Sequence, residues 1–475
     1  MCIRDRLHQQ PLSSAGEGGY ADWIGSLFSS VDGGYLLCLL VFSFAVIVYT
    51  SYGGFRAVVW TDVLQGVVMV FGVLVLLPLV LSQVGGLRQA TDDLAKMTPP
   101  EMCKVQVNRS GDTARAVTVP FGTWLESTNG DGERQVFRTA KAFEFSENQT
   151  IAESVQALVI TSQHETDRIS VPESNMSVDH VVETEAYAYG KGKAGVYVTA
   201  PGPSSADAAG FLPLGVAISF FFFWVFSGAG QPSNMVRLMS FNSSLTLRRA
   251  MMTVAIYFSL IYFPLVIIFC CSRVLLPGME IESDRIMPAL AEHVTRVAGM
   301  PWLAGLLVAA PFAAVMSTVD SFLLMISSAI VRDVYQRNIR PDASEQKLKR
   351  LTYLVTAFVG IAALIGAINP PEYLQNIIVF TGGGLSACFL FPVALALYWP
   401  RFNAQGAIAS MLGGFVAHVA LYAIGLYKYQ GFRPLKIYGL DPFIPELVVS
   451  LVAAIVVTNM YPAPRKGLIE RFFFK

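Results

Sequence analysis

The stretch LAGLLVAAPFAAVMSTVDSFLLMISSAIVRDVY, residues 303–335, decides how the rest of the chain reads. Most of it is an apolar run long enough to cross a bilayer as a helix, which takes about 20 residues. It shows no period-2 alternation, yet it carries an aspartate, Asp320, among hydroxyl side chains. On a helix Ala314, Ser317, Thr318 and Ser321 fall at i, i+3, i+4 and i+7. One carbonyl and three hydroxyls therefore share a face, and Asp320 stands beside it. A small hard cation prefers oxygen donors of this kind, so the stripe can bind sodium. The same hydroxyls can instead bond back to the i−4 carbonyl or join neighbouring membrane helices, and the spacing leaves both readings open.

Working outward, apolar runs of similar length recur at 34–52, 58–82, 211–230, 251–276, 300–331, 352–369, 374–399, 406–427 and 443–461. They are built of Leu, Val, Ile, Phe, Ala and Gly without alternation, which favours helices over an outer-membrane barrel. The chain is 53% hydrophobic and only 14% charged, with 34 basic and 34 acidic side chains, whereas an ordinary soluble chain carries about 25% charged residues. That balance excludes a soluble enzyme, a disordered tail and a nucleic-acid binder. The six cysteines, at 2, 38, 103, 270, 271 and 388, show neither a zinc spacing nor a disulfide framework. The expected class is an all-α polytopic membrane protein of about nine transmembrane helices, embedded in the lipid bilayer.

Lys and Arg orient it. With the first segment running from outside to inside, the inner stretches hold 15 basic residues and the short outer ones seven. The N-terminus is therefore expected outside and the C-terminus in the cytoplasm, in the plasma membrane or, for a bacterium, the inner membrane. The expected plan is an external N-terminal segment at 1–33, two spans in 34–82, an insert at 83–210, five spans in 211–399, two in 400–461 and a cytoplasmic tail at 462–475. The insert holds 17 acidic and 11 basic residues, so the overall zero charge is a cancellation between an acidic external insert and a basic inner face. Alternating runs in it, QVFRTAKAFEF (135–145) and AGVYVTA (194–200), point to some β structure. Its sequons at Asn108, Asn148 and Asn175 read as coincidence in a polar loop. The charged start MCIRDR, with no signal-type core after it, reads as a foreign start on a truncated gene.

Ionisable groups at bilayer depth are costly and usually functional. Within the nine segments they are Asp62, Arg273, Asp320 and Glu446. Arg273 and Glu446 lie near segment ends, where snorkelling to water is the expected reading. His418, the one histidine in a span, has no obvious partner and reads as a packed residue, so no catalytic pair is expected. The third segment, FLPLGVAISFFFFWVFSGAGQPSNMVRLM (211–239), breaks at Ser227 to Pro232. Gly and Pro there argue for a discontinuous helix whose freed ends could meet a charged solute; a packing kink with Phe220 to Trp224 facing lipid is the alternative.

The motifs YTSYGGFRAVVWTDVLQGVVM (49–69), GQPSNMVRLM (230–239), AAVMSTVDSFLLMISSAIVRDVY (313–335) and FTGGGLSACFLFPVALALYWPRFNAQGA (380–407) resemble the sodium:solute symporter family. PPEYL (370–374) and the loop at 398–407 are most similar to its pantothenate-carrying branch. The resemblance implies a leucine-transporter-type core of two inverted five-helix repeats with alternating access. In that alignment the first two spans are the fourth and fifth core helices, and the first three core helices, with the half of the sodium site they carry, are absent.

Carried over, the resemblance implies sodium binding by Ala314, Ser317 and Thr318, and a second sodium between Asp62 on one side and Asp320 and Ser321 on the other. It implies a solute cavity lined by Trp224, Ser227 and Pro232, with Gln231 next to the break. Gly228 replaces the aromatic residue of proline-carrying members, and Ser386 stands where the pantothenate branch carries an acidic residue, which sets this chain apart from both. The implied function is sodium-coupled symport of a small organic solute, a pantothenate-like vitamin or other organic acid, by a protein able to act as a monomer. Sodium is the coupling ion and no other cofactor is implied. An amino acid, sugar or choline as solute, or a symporter-like sensory module, are the alternatives; the short tail after Tyr461 leaves no room for a signalling domain within the chain.

Overall fold

The computed structural model describes residues 33–110, 115–128, 133–172, 174–185, 187–205, 207–368, 374–429 and 431–473. The segment before Gly33, with its charged start, and the PPEY of the 370–374 motif lie outside them.

Every apolar run forms a helix. They are α1 (Gly33–Gly54) and α2 (Val58–Val84), then, after the polar stretch, α5 (Leu214–Gly230) with α6 (Pro232–Met239), α7 (Ser244–Leu275), α9 (Leu303–Ile339), α10 (Glu345–Ile368), α11 (Leu374–Tyr398), α12 (Ala404–Tyr429) and α13 (Phe443–Met460). Among the described residues, eight are long and apolar enough to cross a membrane alone, and α5 with α6, bent by 48°, makes a ninth as one broken span. These helices are apolar all round and expose large side chains such as Phe44, Phe263 and Phe358. That is how a helix facing lipid is built. Prolines 78, 264, 311 and 392 sit inside helices, as membrane helices tolerate. The chain breaks between α1 and α2 at Gly54, whose φ of 59° and ψ of −170° suit glycine alone. The last turns of α9, Ala329–Ile339, widen into a π-helix.

The chain divides into two compact units. The first holds Leu74–Ala217 and Tyr262–Ala304. Its centre is an antiparallel sheet in the order β3-β4-β6-β1-β7, built from β1 (Glu101–Arg109), β3 (Trp124–Thr128), β4 (Arg134–Thr139), β6 (Ile151–Ile160) and β7 (Met176–Glu185), with a two-stranded ribbon of β2 (Val117–Val119) and β5 (Phe143–Phe145). Alternate residues face opposite ways in a strand. Val105, Val107, Phe137, Ala157 and Val159 therefore form one core with Phe145 of the ribbon, while Met102, Val136, Leu158 and Ile160 form another with Ile169 and Ile281. Helices α3 (Leu87–Lys96), α4 (Gln163–Thr166) and α8 (Ile286–Val297) complete the unit. QVFRT and FEF are strands, as the alternation predicts. AGVYVTA is not: residues 194–200 are a run of turns, enclosed by the bridge between Tyr189 and Ser204 and fed by left-handed glycines at 190, 192, 195 and 202.

A second departure concerns Arg273, which does not snorkel. It is held by Glu280, by Glu165 at 3.8 Å and by the Tyr197 hydroxyl at 2.7 Å, and its side chain is largely buried. Arg138 bonds the carbonyl of Gly278 at 2.8 Å and Glu282 at 2.9 Å, and stacks over Trp124. Carboxylates supplied locally compensate both guanidiniums, so neither has to reach water. Burial pushes the Glu165 carboxyl up against the opposing pull of Arg273.

Among the described residues, the second unit comprises 33–73, Ile218–Ile261 and 305–473. Small residues let its helices meet closely. A Cβ on Gly414 of α12 would lie 2.1 Å from the Ala387 carbonyl of α11, and one on Gly406 would lie 2.0 Å from Thr458 Oγ1 of α13. Ser410 and Ser450 bond across α12 and α13 at 2.9 Å. Asn403 caps α12 by accepting from the Gly406 N–H at 2.9 Å.

Candidate functional site

On α9 the hydroxyl stripe converges on one carbonyl. Ser317 Oγ donates to the Ala314 oxygen at 2.9 Å and Thr318 Oγ1 to the same oxygen at 3.2 Å. Three oxygens thus cluster on one turn, while each hydroxyl keeps its lone pairs for another partner. The back-bonding reading and the cation reading share this geometry, because the hydroxyl protons can turn away when a cation arrives. Ser321 Oγ donates to the Ser317 carbonyl at 2.8 Å.

The acidic residues part company. Asp320 is fully buried and accepts from Thr50 Oγ1 at 2.9 Å and from the Tyr49 hydroxyl, both on α1. Asp62, on α2, lies 2.6 Å from Arg237 of α6, and the same guanidinium nitrogen donates to Ser321 Oγ at 2.5 Å. Asp62 and Ser321 are therefore joined, as the expected second site requires, but through a guanidinium, and Asp320 turns to a different partner set.

The broken span is held open by side chains. Pro232 opens α6, where its missing N–H is no loss, and Gln231 stands extended at the break. Asn234 donates to the Gly228 carbonyl at 3.0 Å, and Ser386 of α11 shares its hydroxyl proton between the Ser227 carbonyl at 3.1 Å and the Gly382 carbonyl of its own helix at 2.8 Å. Two carbonyls freed by the break are thereby satisfied, as a helix interrupted at membrane depth requires. Ser227 is buried, while Trp224 is 56% exposed and stands edge-on to Phe223.

Sequence reasoning missed several partners. Tyr49 and Thr50 lie in the same motif as Asp62, and Arg237 lies one turn beyond Pro232, where it reads as an inner-face charge. Glu446 does not snorkel and His418 does have a partner: His418 Nδ1 and Glu446 Oε1 lie 2.9 Å apart, and both residues are buried. They are 28 positions apart on successive helices, and only the packing of α12 on α13 brings them together.

The pattern of one family, the sodium:solute symporter family, matches residues 25–128 and 173–414. The chain belongs to that family. The unmatched stretch 129–172 holds β4, β5, β6 and α4. Among curated relatives, the sodium/pantothenate symporters of Haemophilus influenzae and Escherichia coli are 26% and 27% identical, over 89% and 88% of this chain. The chain spans 64% and 63% of their lengths, less than two thirds. The sodium/proline symporter of Escherichia coli is 29% identical over 54% of this chain and 50% of its own. A solved Na+-coupled sialic acid symporter, in a substrate-bound outward-open state, matches with a TM-score of 0.51 at 18% identity, covering 92% of this chain and 69% of that one. That likeness shows the fold, a leucine-transporter-type membrane helix array. The chain is accordingly a multi-pass membrane protein of this symporter family.

Proposed function

We propose that the chain serves sodium-coupled symport of a small organic solute by alternating access, with Ala314, Ser317 and Thr318 as sodium ligands. The observation that carries this reading is the convergence of the Ser317 and Thr318 hydroxyls on the Ala314 carbonyl. Three uncharged oxygens at one point suit sodium, which is bound as cargo and released again. Trp224, Ser227, Gln231 and Pro232 line the solute's route at the broken span, where side chains rather than helix amides meet the freed carbonyls. The pantothenate and proline relatives favour a carboxylate-bearing solute, and a pantothenate-like vitamin or other organic acid is the class we assign. The excess of basic residues on one set of connections supports an external start and a cytoplasmic C-terminus, with 83–210 on the external side.

One sodium moving inward is worth about 2.3 kcal/mol per 100 mV plus about 1.4 kcal/mol for a tenfold gradient. A monoanionic solute cancels the charge of one sodium, leaving only the gradient. A second sodium at Asp62, Asp320 and Ser321 restores the electrical drive to a total of roughly 5 kcal/mol. The Arg237 guanidinium between Asp62 and Ser321 favours a single sodium in this conformation, since a tethered cation already neutralises Asp62.

Uptake by proteoliposomes carrying the product of the whole gene tests the reading. Labelled pantothenate, proline and a panel of organic acids should enter only with sodium outside. Uptake of equal size in potassium would overturn it.

A further inference from the structure

Two membrane-buried ionisable residues take no part in the groups described above. His418 and Glu446 are bonded to each other, and Glu446 Oε2 makes no hydrogen bond among the described residues. An apolar pair of similar volume would often serve stability equally well. Their use must be sought in what they hold in place.

The imidazole is pressed onto α11: a Cβ on Gly384 would lie 2.8 Å from His418 Nε2. Phe380, one turn earlier on α11, packs against the same ring at a tilt of 38°, with centroids 4.7 Å apart. Two residues beyond Gly384, Ser386 makes its bond to the Ser227 carbonyl at the break of α5. The helices touch backbone to backbone there, since a Cβ on Gly230 would lie 2.6 Å from Ser386 Cα. Glu446 has its own route to the broken span. Phe443, three residues earlier, stands edge-on to Phe223 at 5.4 Å, and the Asp441 N–H donates to Ser219 Oγ at 3.0 Å. The bond from α12 to α13 thus closes a ring of contacts around α11, and α11 is the element that seats against the break.

We propose that His418 and Glu446 are a positioning pair for the solute site, fixing how α11 seats against the broken helix without touching sodium or solute themselves. The proposal rests on the symport reading above and adds the residues that set the geometry of its site.

Trp224 beside Phe223 serves as the reporter. The product of the whole gene, in proteoliposomes, is titrated with sodium chloride against potassium chloride at constant ionic strength, and its emission is compared with that of Trp224→Phe. The deciding variant is His418→Leu with Glu446→Met, which removes both polar groups at once and keeps the volume. Its thermal midpoint should match or exceed that of the wild type, while the sodium concentration giving half of the Trp224 response rises about tenfold. Glu446→Gln keeps an oxygen acceptor for the imidazole and should return to within about threefold of the wild type. A half-saturation in the double variant equal to that of the wild type overturns the proposal and leaves the symport reading standing. Solute uptake by the wild type that is equal in sodium and potassium overturns that reading, and the proposal with it, before any variant is compared.

Discussion

The guanidinium of Arg237 lies 2.6 Å from a carboxylate oxygen of Asp62 and, through the same nitrogen, 2.5 Å from the hydroxyl of Ser321. One side chain on α6 thereby links α2 to α9. Removing it leaves a half-buried carboxylate without its cation. Arg237→Gln should lower the thermal midpoint by the equivalent of about 1–2 kcal/mol, the loss being moderated by the exposure of Arg237. It should also free Asp62 and Ser321 for a second sodium, so that the sodium dependence of uptake becomes steeper. A Hill coefficient that stays at its wild-type value would contradict the single-sodium assignment.

Arg138 ties β4 to the turn after α7. Its side chain and that of Glu282 are 11% and 12% exposed, so breaking the pair strands a buried charge. Arg138→Ala should cost about 3–5 kcal/mol of stability, read by denaturation of the purified protein. Arg138→Lys should recover only part of it, because a single ammonium cannot reproduce the guanidinium's bonds to Glu282 and Gly278. Full recovery by lysine would show that charge alone is needed.

Asp441, in the connection before α13, is buried, and this burial, reinforced by the nearby charge of Glu446, pushes its carboxyl up from 3.8 to about 6. The folded chain binds this proton more tightly than the unfolded chain does. Its contribution to stability is therefore present at low pH and is lost as pH rises through about 6. The loss amounts to about 3 kcal/mol. Asp441→Asn should flatten the dependence of the thermal midpoint between about pH 4 and pH 6. A slope that survives the substitution would assign the effect to another group.

Gly414→Val tests the packing of α12 on α11. A Cβ placed 2.1 Å from a backbone oxygen forces the helices apart. The variant should fail to yield folded protein by size-exclusion chromatography. Normal yield and midpoint would mean that the two helices are farther apart than described.

The nine apolar segments were legible because hydrocarbon thickness imposes a run length that composition alone reveals. The break at Ser227 to Pro232 was legible because Gly and Pro mark it in any context. Strand QVFRT showed through its alternation, but AGVYVTA alternates too and folds as turns, since the glycines around it take left-handed backbone angles that side-chain periodicity does not report. Long-range partners were the hidden part. Arg237 reads as one more basic residue at a helix end, and His418 reads as lone, because their acidic partners lie on other helices at distances that only packing decides. The stripe from Ala314 to Ser321 was legible as a face, whereas the parting of Asp62 and Asp320 onto separate partners was not.

The central claim is that Ala314, Ser317 and Thr318 hold sodium. Its most direct test is equilibrium binding of radioactive sodium to the purified product of the whole gene, comparing the wild type with Ser317→Ala/Thr318→Ala. The account predicts saturable binding in the wild type and a loss of affinity of about 100-fold when both hydroxyls are gone. Binding of equal affinity in the two proteins would contradict it.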